Sequence, residues 1–248
     1  MPSALHLVTF LRGEAQQHHE VAEILIEKGA DVNALNQSGC TPLHYCVFSR
    51  AVKIAKVLIK HGCKLDTVSS IDYEDQKTPL LASICDVDDV EMVELLINAG
   101  ANLDVGNSQM KTPLILVAYR SRTDIAKMLI QGGCDINKCY KDDISPFQAS
   151  LFQFTPLTRM LVLAGCTFTL SDRAALDKVE CIYNAQELTE YKTWLIEAFN
   201  RGPNLQQLCR MAIRKSLGQL PNRKIEFLSL PVRLQNYVAM YELDELLK

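Results

Sequence analysis

Four short strings built on a helix-start signal recur along this chain: Thr41-Pro42-Leu43-His44, Thr78-Pro79-Leu80, Thr112-Pro113-Leu114 and Ser145-Pro146-Phe147, at intervals of 37, 34 and 33 residues. Each is followed 20 to 22 residues later by a glycine (Gly62, Gly100, Gly133, Gly165), and Gly29-Ala30-Asp31 supplies an earlier copy. A near-constant period of this length marks stacked supersecondary units, here five. Thr41 can cap a helix whose first residue is Pro42, where a missing N–H is harmless, and the later glycine can take the left-handed conformation that ends a second helix. Apolar residues precede each glycine at helical spacing, as in Ile54, Val57, Leu58 or Ile125, Met128, Leu129. One such helix cannot bury its stripe alone, so neighbouring units must stack.

Composition narrows the class. The 248 residues are 48% hydrophobic and 22% charged, the profile of a globular chain rather than a disordered or fibrous one. No run approaches the roughly 18 apolar residues of a membrane helix, and Leu7 to Leu11 lacks the flanks of a secretory signal, so no membrane association is expected. Nine cysteines without paired zinc-type spacing suit reduced thiols in cytosol or nucleus. Residues 1–200 carry 18 Lys and Arg against 25 Asp and Glu, a balance of −7, which disfavours nucleic acid. Residues 201–248 carry 8 against 4, a balance of +4 that reads as a solvated rim.

The threonine-proline-leucine-histidine strings with their glycine-alanine-aspartate partners resemble the ankyrin repeat over about residues 4–170. The first unit departs from the pattern, lacking a threonine-proline start, and Thr67 to Tyr73 enlarge one loop. His44 then corresponds to a structural histidine. Cys63, Cys134 and Cys166 share the small-residue slot after the glycine with Ala30 and Ala101, and read as core.

Beyond residue 170 the repeat fades. Leu188, Tyr191, Trp194, Leu195, Ala198 and Phe199 share one helical face suited to capping the fifth unit, and Arg201-Gly202-Pro203 breaks that helix. From Leu205 apolar residues fall four apart, at Leu205, Cys209, Ile213 and Leu217, before Gly218. This stripe resembles the elongin C-binding half of a SOCS box, and Ile225, Leu228, Leu230, Pro231, Leu234 and Tyr237 are similar to its cullin-binding half. The whole chain thus resembles the ankyrin repeat and SOCS box family. Two positions depart: Asn204 stands where serine, threonine or proline usually precedes the leucine, and Ser229 replaces the first proline of the leucine-proline run.

The resemblance implies an all-α fold: an ankyrin-repeat solenoid at 1–170, a capping helix and linker at 171–202, and a small three-helix SOCS box at 203–248. It implies that Leu205, Cys209 and Ile213, with Leu208 either beside them or turned toward the intramolecular core, contact elongin C. Elongin B, cullin-5 and a RING protein would complete a ubiquitin ligase, and no catalytic residue or cofactor is expected in this chain. A protein substrate would meet hairpin tips and first helices at Gln37, Ser38, Tyr45, Asp75, Gln76, Gln109, Met110, Asp142 and Asp143. The alternative is a scaffold that sequesters a partner without ubiquitination. A hydrolytic or metal-dependent enzyme finds no support: His19-Glu20 lacks a second histidine four residues on, and no phosphate loop or nucleophile elbow is present.

Overall fold

The chain is helical in its computed structural model, which describes residues 2–10, 18–70, 76–140, 144–151, 156–179, 186–202, 205–217, 224–225 and 231–239. Helix starts follow from local chemistry. Thr41 is extended, its hydroxyl accepts the His44 backbone N–H, and the His44 ring accepts the Thr41 N–H in return. With Pro42 in the first turn this reciprocal cap satisfies donors that the helix itself leaves unpaired. Thr78 caps the next unit through the Leu81 N–H. Helix ends are equally local: Gly29, Gly62, Gly100, Gly133 and Gly165 all have φ between +76° and +96°, the left-handed region open to a residue without Cβ. The chain divides into two compact units, residues 1–113 and 114–248.

The first unit contains helices α1 (Ala4–Phe10), α2 (His18–Glu27), α3 (Pro42–Ser49), α4 (Val52–Lys60), α5 (Pro79–Ala82), which runs into a π-helical turn at Ser83–Val87, and α6 (Val90–Ala99). Leu5, Leu43, Leu58, Leu80, Met92 and Leu96 are fully enclosed, and burying each such side chain contributes about 1.5–3 kcal/mol. The first unit proves to carry its own start signal. Ser3-Ala4-Leu5-His6 replaces threonine-proline-leucine-histidine, with Ser3 Oγ 2.7 Å from His6 Nδ1. Each histidine then reaches the next repeat: His6 Nε2 donates to Cys40 O at 2.9 Å and His44 Nε2 to Lys77 O at 3.2 Å. Hairpin loops are stitched likewise, Asn33 Oδ1 accepting from Lys64 N at 2.7 Å and Asp66 Oδ1 from Asn102 N at 2.8 Å.

The second unit comprises α7 (Pro113–Tyr119), α8 (Thr123–Gly132), α9 (Pro146–Leu151), α10 (Pro156–Ala164), α11 (Leu170–Val179), α12 (Gln186–Arg201), α13 (Leu205–Leu217) and α14 (Val232–Ala239). Here the capping segment is richer than expected, because α11 precedes the capping helix α12. Thr169 starts α11 with a box of its own: Asp172 Oδ2 accepts from Thr169 N and Oγ1, and Oδ1 accepts from Ser145 Oγ at 2.7 Å. Phe168 packs between Phe147, edge-on at 5.1 Å, and Phe199, tilted at 5.0 Å, measured between ring centroids. Arg159 lies over Trp194 and Leu195 is buried, so this stretch of α12 packs toward the fifth repeat, while the side chains of Leu188 and Tyr191 lie outside the described residues. Cys134 and Cys166 are buried, as is Cys63 in the first unit, in the small-residue slot after the repeat glycine.

Candidate partner-binding site on the C-terminal helices

Helix α13 has three faces, one on the repeats, one on a small C-terminal core and one open. Residues 100° apart around a helix place Gln207, Arg210, Met211 and Arg214 on one side. That side meets the repeats: Arg210 Nη2 donates to Leu163 O at 2.6 Å, Arg214 Nη2 to Ile130 O at 2.6 Å and Gln131 O at 3.0 Å, and Gln207 Nε2 to Leu163 O at 3.4 Å. A second side, Ile213 and Leu217, packs on the small core of Ile225, Val238 and Ala239. The third side carries Leu208, 46% exposed, with Cys209, Ala212 and Ser216, all exposed.

This arrangement sorts the expected contact residues. Leu208 and Cys209 lie on the open strip, so Leu208 does not turn into the intramolecular core. Ile213 is half-buried against its own chain, and Leu205 begins the helix with a side chain outside the described residues. In the second half-motif Ile225 is buried in the small core, whereas Pro231 and Leu234 are exposed. Pro231 O accepts from Leu234 N at 2.8 Å and starts α14. Leu228, Leu230 and the Tyr237 side chain lie outside the described residues. Val232, 69% exposed beside Pro231, had no signal in the stripe pattern.

The solvated-rim reading of the basic tail is corrected at two positions. Arg210 and Arg214 are 2% and 8% exposed. Burial, together with the charge of Arg210, holds the Arg214 guanidinium down to about 10, still a cation at neutral pH. Their signal was the i, i+4 spacing that puts both on one side of α13, but their acceptors are backbone carbonyls, which no side-chain pattern reveals.

Seven of the nine expected substrate contacts belong to residues 1–113, and Asp142 and Asp143 belong to residues 114–248. Gln37, Gln76, Gln109 and Met110 are exposed. Ser38 is half-buried, its carbonyl accepting from Ser70 N at 2.8 Å. Tyr45 is half-buried with its hydroxyl accepting from Asn36 Nδ2 and its ring edge-on to His6. Asp75, Asp142 and Asp143 lie outside the described residues. Among the described residues no helix is long and apolar enough to cross a membrane.

Comparison with known proteins matches both parts of the chain. The family model described as ankyrin repeats (3 copies) matches residues 2–69 and 65–139, and the SOCS box model matches 202–239. The ankyrin repeat protein OPG189 of variola virus is 28% identical over 68% of this chain and 30% of its own length. The mouse ankyrin repeat and SOCS box proteins 9 and 11 are each 28% identical over 60% of this chain, covering 50% and 45% of their lengths. The aligned stretch therefore spans half or less of these relatives. With ankyrin repeats matched over residues 2–139 and a SOCS box over residues 202–239, the chain belongs to the ankyrin repeat and SOCS box family.

Proposed function

We propose that this protein is a non-catalytic substrate receptor of a ubiquitin ligase, in which residues 1–170 hold a protein substrate and residues 203–248 recruit elongin B and C with cullin-5 and its RING partner. The observation that carries this reading is the open strip on α13: Leu208 and Cys209 face outward while the remaining two sides of the helix are used within the chain. An apolar side chain left exposed beside a small thiol suits a partner's pocket. Leu205 is the intended anchor at the head of the helix, with exposed Pro231 and Leu234 as the cullin contact. Catalysis then needs no reactive group in this chain. Tethering substrate and charged conjugating enzyme in one complex raises their effective concentration, which is the whole contribution of a receptor. The −7 balance of residues 1–200 favours a basic substrate surface in cytosol or nucleus.

The docking of Gln207, Arg210 and Arg214 on the repeats supports a second reading, in which the box only stabilises the terminal repeats of a sequestering scaffold. Affinity capture separates the two. Wild-type protein retains elongin B and C, whereas Leu205→Ala with Cys209→Phe loses one large buried anchor worth about 1.5–3 kcal/mol, a tenfold to hundredfold weaker complex. Leu234→Asp keeps elongin and loses cullin-5. Equal recovery of elongin by wild type and the double variant sinks the receptor reading and leaves the scaffold.

A further inference from the structure

Helix α13 is held by carbonyls from the C-terminal turns of three other helices. Leu163 O belongs to the last turn of α10, Ile130 O and Gln131 O to the last turn of α8, and Val238 O to the last turn of α14, where it accepts from Arg214 Nη1 at 2.9 Å. Helix C-termini present carbonyls without intrahelical partners and a partial negative charge, so a buried cation suits them. A planar guanidinium can bridge carbonyls of two elements at fixed angles, which a lysine ammonium cannot reproduce. Arg214 does this between α8 and α14. Arg210, one turn earlier, fixes the same side of α13 to α10.

Packing closes the fourth point of contact. Gly165, at the end of α10 with φ +94°, has no Cβ, and the Met211 Sδ lies 2.8 Å from where one would be. Apolar residues of similar volume would cover this side of α13 at a lower desolvation cost than two buried guanidinium groups. What the arginines add is direction. The open strip of Leu208, Cys209, Ala212 and Ser216 lies on the far side of the helix from Arg214, so the rotation fixed by Arg214 is the rotation of the strip.

We infer that Arg214 and Arg210 are positioning residues that set the angle at which the α13 strip presents its partner relative to repeats four and five. The inference rests on the proposed receptor function for its purpose, but the docking geometry is measurable without it. A spin-labelled unnatural residue at exposed position 170, which starts α11, and another at exposed position 216 on α13 give an interhelix distance in the full chain.

Well below the unfolding temperature the wild type shows one narrow distance distribution. Arg214→Gln broadens it at least twofold, and Arg210→Gln with Arg214→Gln broadens it further. Arg214→Lys keeps the charge, loses the fork, and behaves like Arg214→Gln. The dissociation constant for elongin B and C, measured on the unlabelled proteins, stays within about threefold of wild type in every variant, because Arg210 and Arg214 lie off the strip.

An unchanged distribution in the double variant overturns the inference, as does full rescue by Arg214→Lys. So does loss of elongin binding at an unchanged distance, since the arginines would then act in binding. Should the double variant lose helix content by circular dichroism, Arg214→Lys alone decides the question. Failure of the wild type to bind elongin overturns the receptor function, while the distance comparison still tests the docking by itself.

Discussion

Both ring nitrogens of His44 are engaged in the neutral form. Nε2 donates to Lys77 O, which can only accept, and Nδ1 accepts from Thr41 N. A second ring proton would sit on Nδ1, against the Thr41 N–H, in a buried site. Burial, reinforced by the nearby His6 and partly offset by the Lys77 carbonyl, lowers His44 from 6.5 to about 4. The folded state then binds this proton less readily than the unfolded chain. The stabilisation is complete above pH 6.5 and is lost as pH falls from 6.5 toward 4. The loss reaches up to about 1.4 kcal/mol per pH unit, or about 2 kcal/mol by pH 5. His44→Gln should be less stable than wild type by about 1–2 kcal/mol at pH 7, with the gap closing near pH 5. Denaturant unfolding of both proteins between pH 5 and 8 checks this, and a pH-independent gap would contradict it.

At the level of elements, glycines that look alike in sequence carry different duties. Gly62 and Gly165 both end a repeat's second helix with positive φ, +76° and +94°. A Cβ at Gly62 would meet nothing within 4 Å, whereas at Gly165 it would meet Met211 of α13. Alanine at either position should cost about 1–2 kcal/mol of backbone strain. Only Gly165→Ala should also accelerate amide exchange in α13, and equal exchange in the two variants would remove Gly165 from the docking account. The same contrast shows what was legible in the sequence. Thr41-Pro42, Thr78-Pro79 and the repeat glycines act on their own few residues, so their types alone announce helix boundaries. The Ser3-to-His6 start lacked its proline, and the Thr169 start has Asp172 in place of histidine, so both boxes were visible only through their hydrogen bonds. The stripe of Leu205, Cys209 and Ile213 suggested one apolar face. In the fold Ile213 turns to Ile225 and Val238 while Cys209 stays open, a division set by tertiary neighbours rather than by helical period.

For the molecule as a whole, repeat architecture makes stability a sum of unit and nearest-neighbour terms, so a perturbation at one end decays along the chain. Residues 1–113 form one compact unit and 114–248 another, and α13 and α14 belong to the second. A partner bound to the open strip therefore stabilises what α13 touches: the C-terminal turns of α8 and α10 and the small core at Ile225 and Val238. At a free concentration of one hundred times its dissociation constant, such a partner adds about 2.7 kcal/mol to that region, a hundredfold slowing of the openings that expose its amides. Amides of α13, α14 and the last turns of α8 and α10 should slow by this factor when elongin B and C are added. Those of α3, α4 and α6, whose cores of Leu43, Leu58 and Leu96 lie in the first unit, should be unchanged. Hydrogen exchange followed by mass spectrometry reads both regions in one experiment. Slowing spread evenly over the chain would mean that the two units unfold together. Slowing confined to the C-terminal helices and the last turns of α8 and α10 would mean that a partner on the strip leaves the repeats of residues 1–113 energetically untouched.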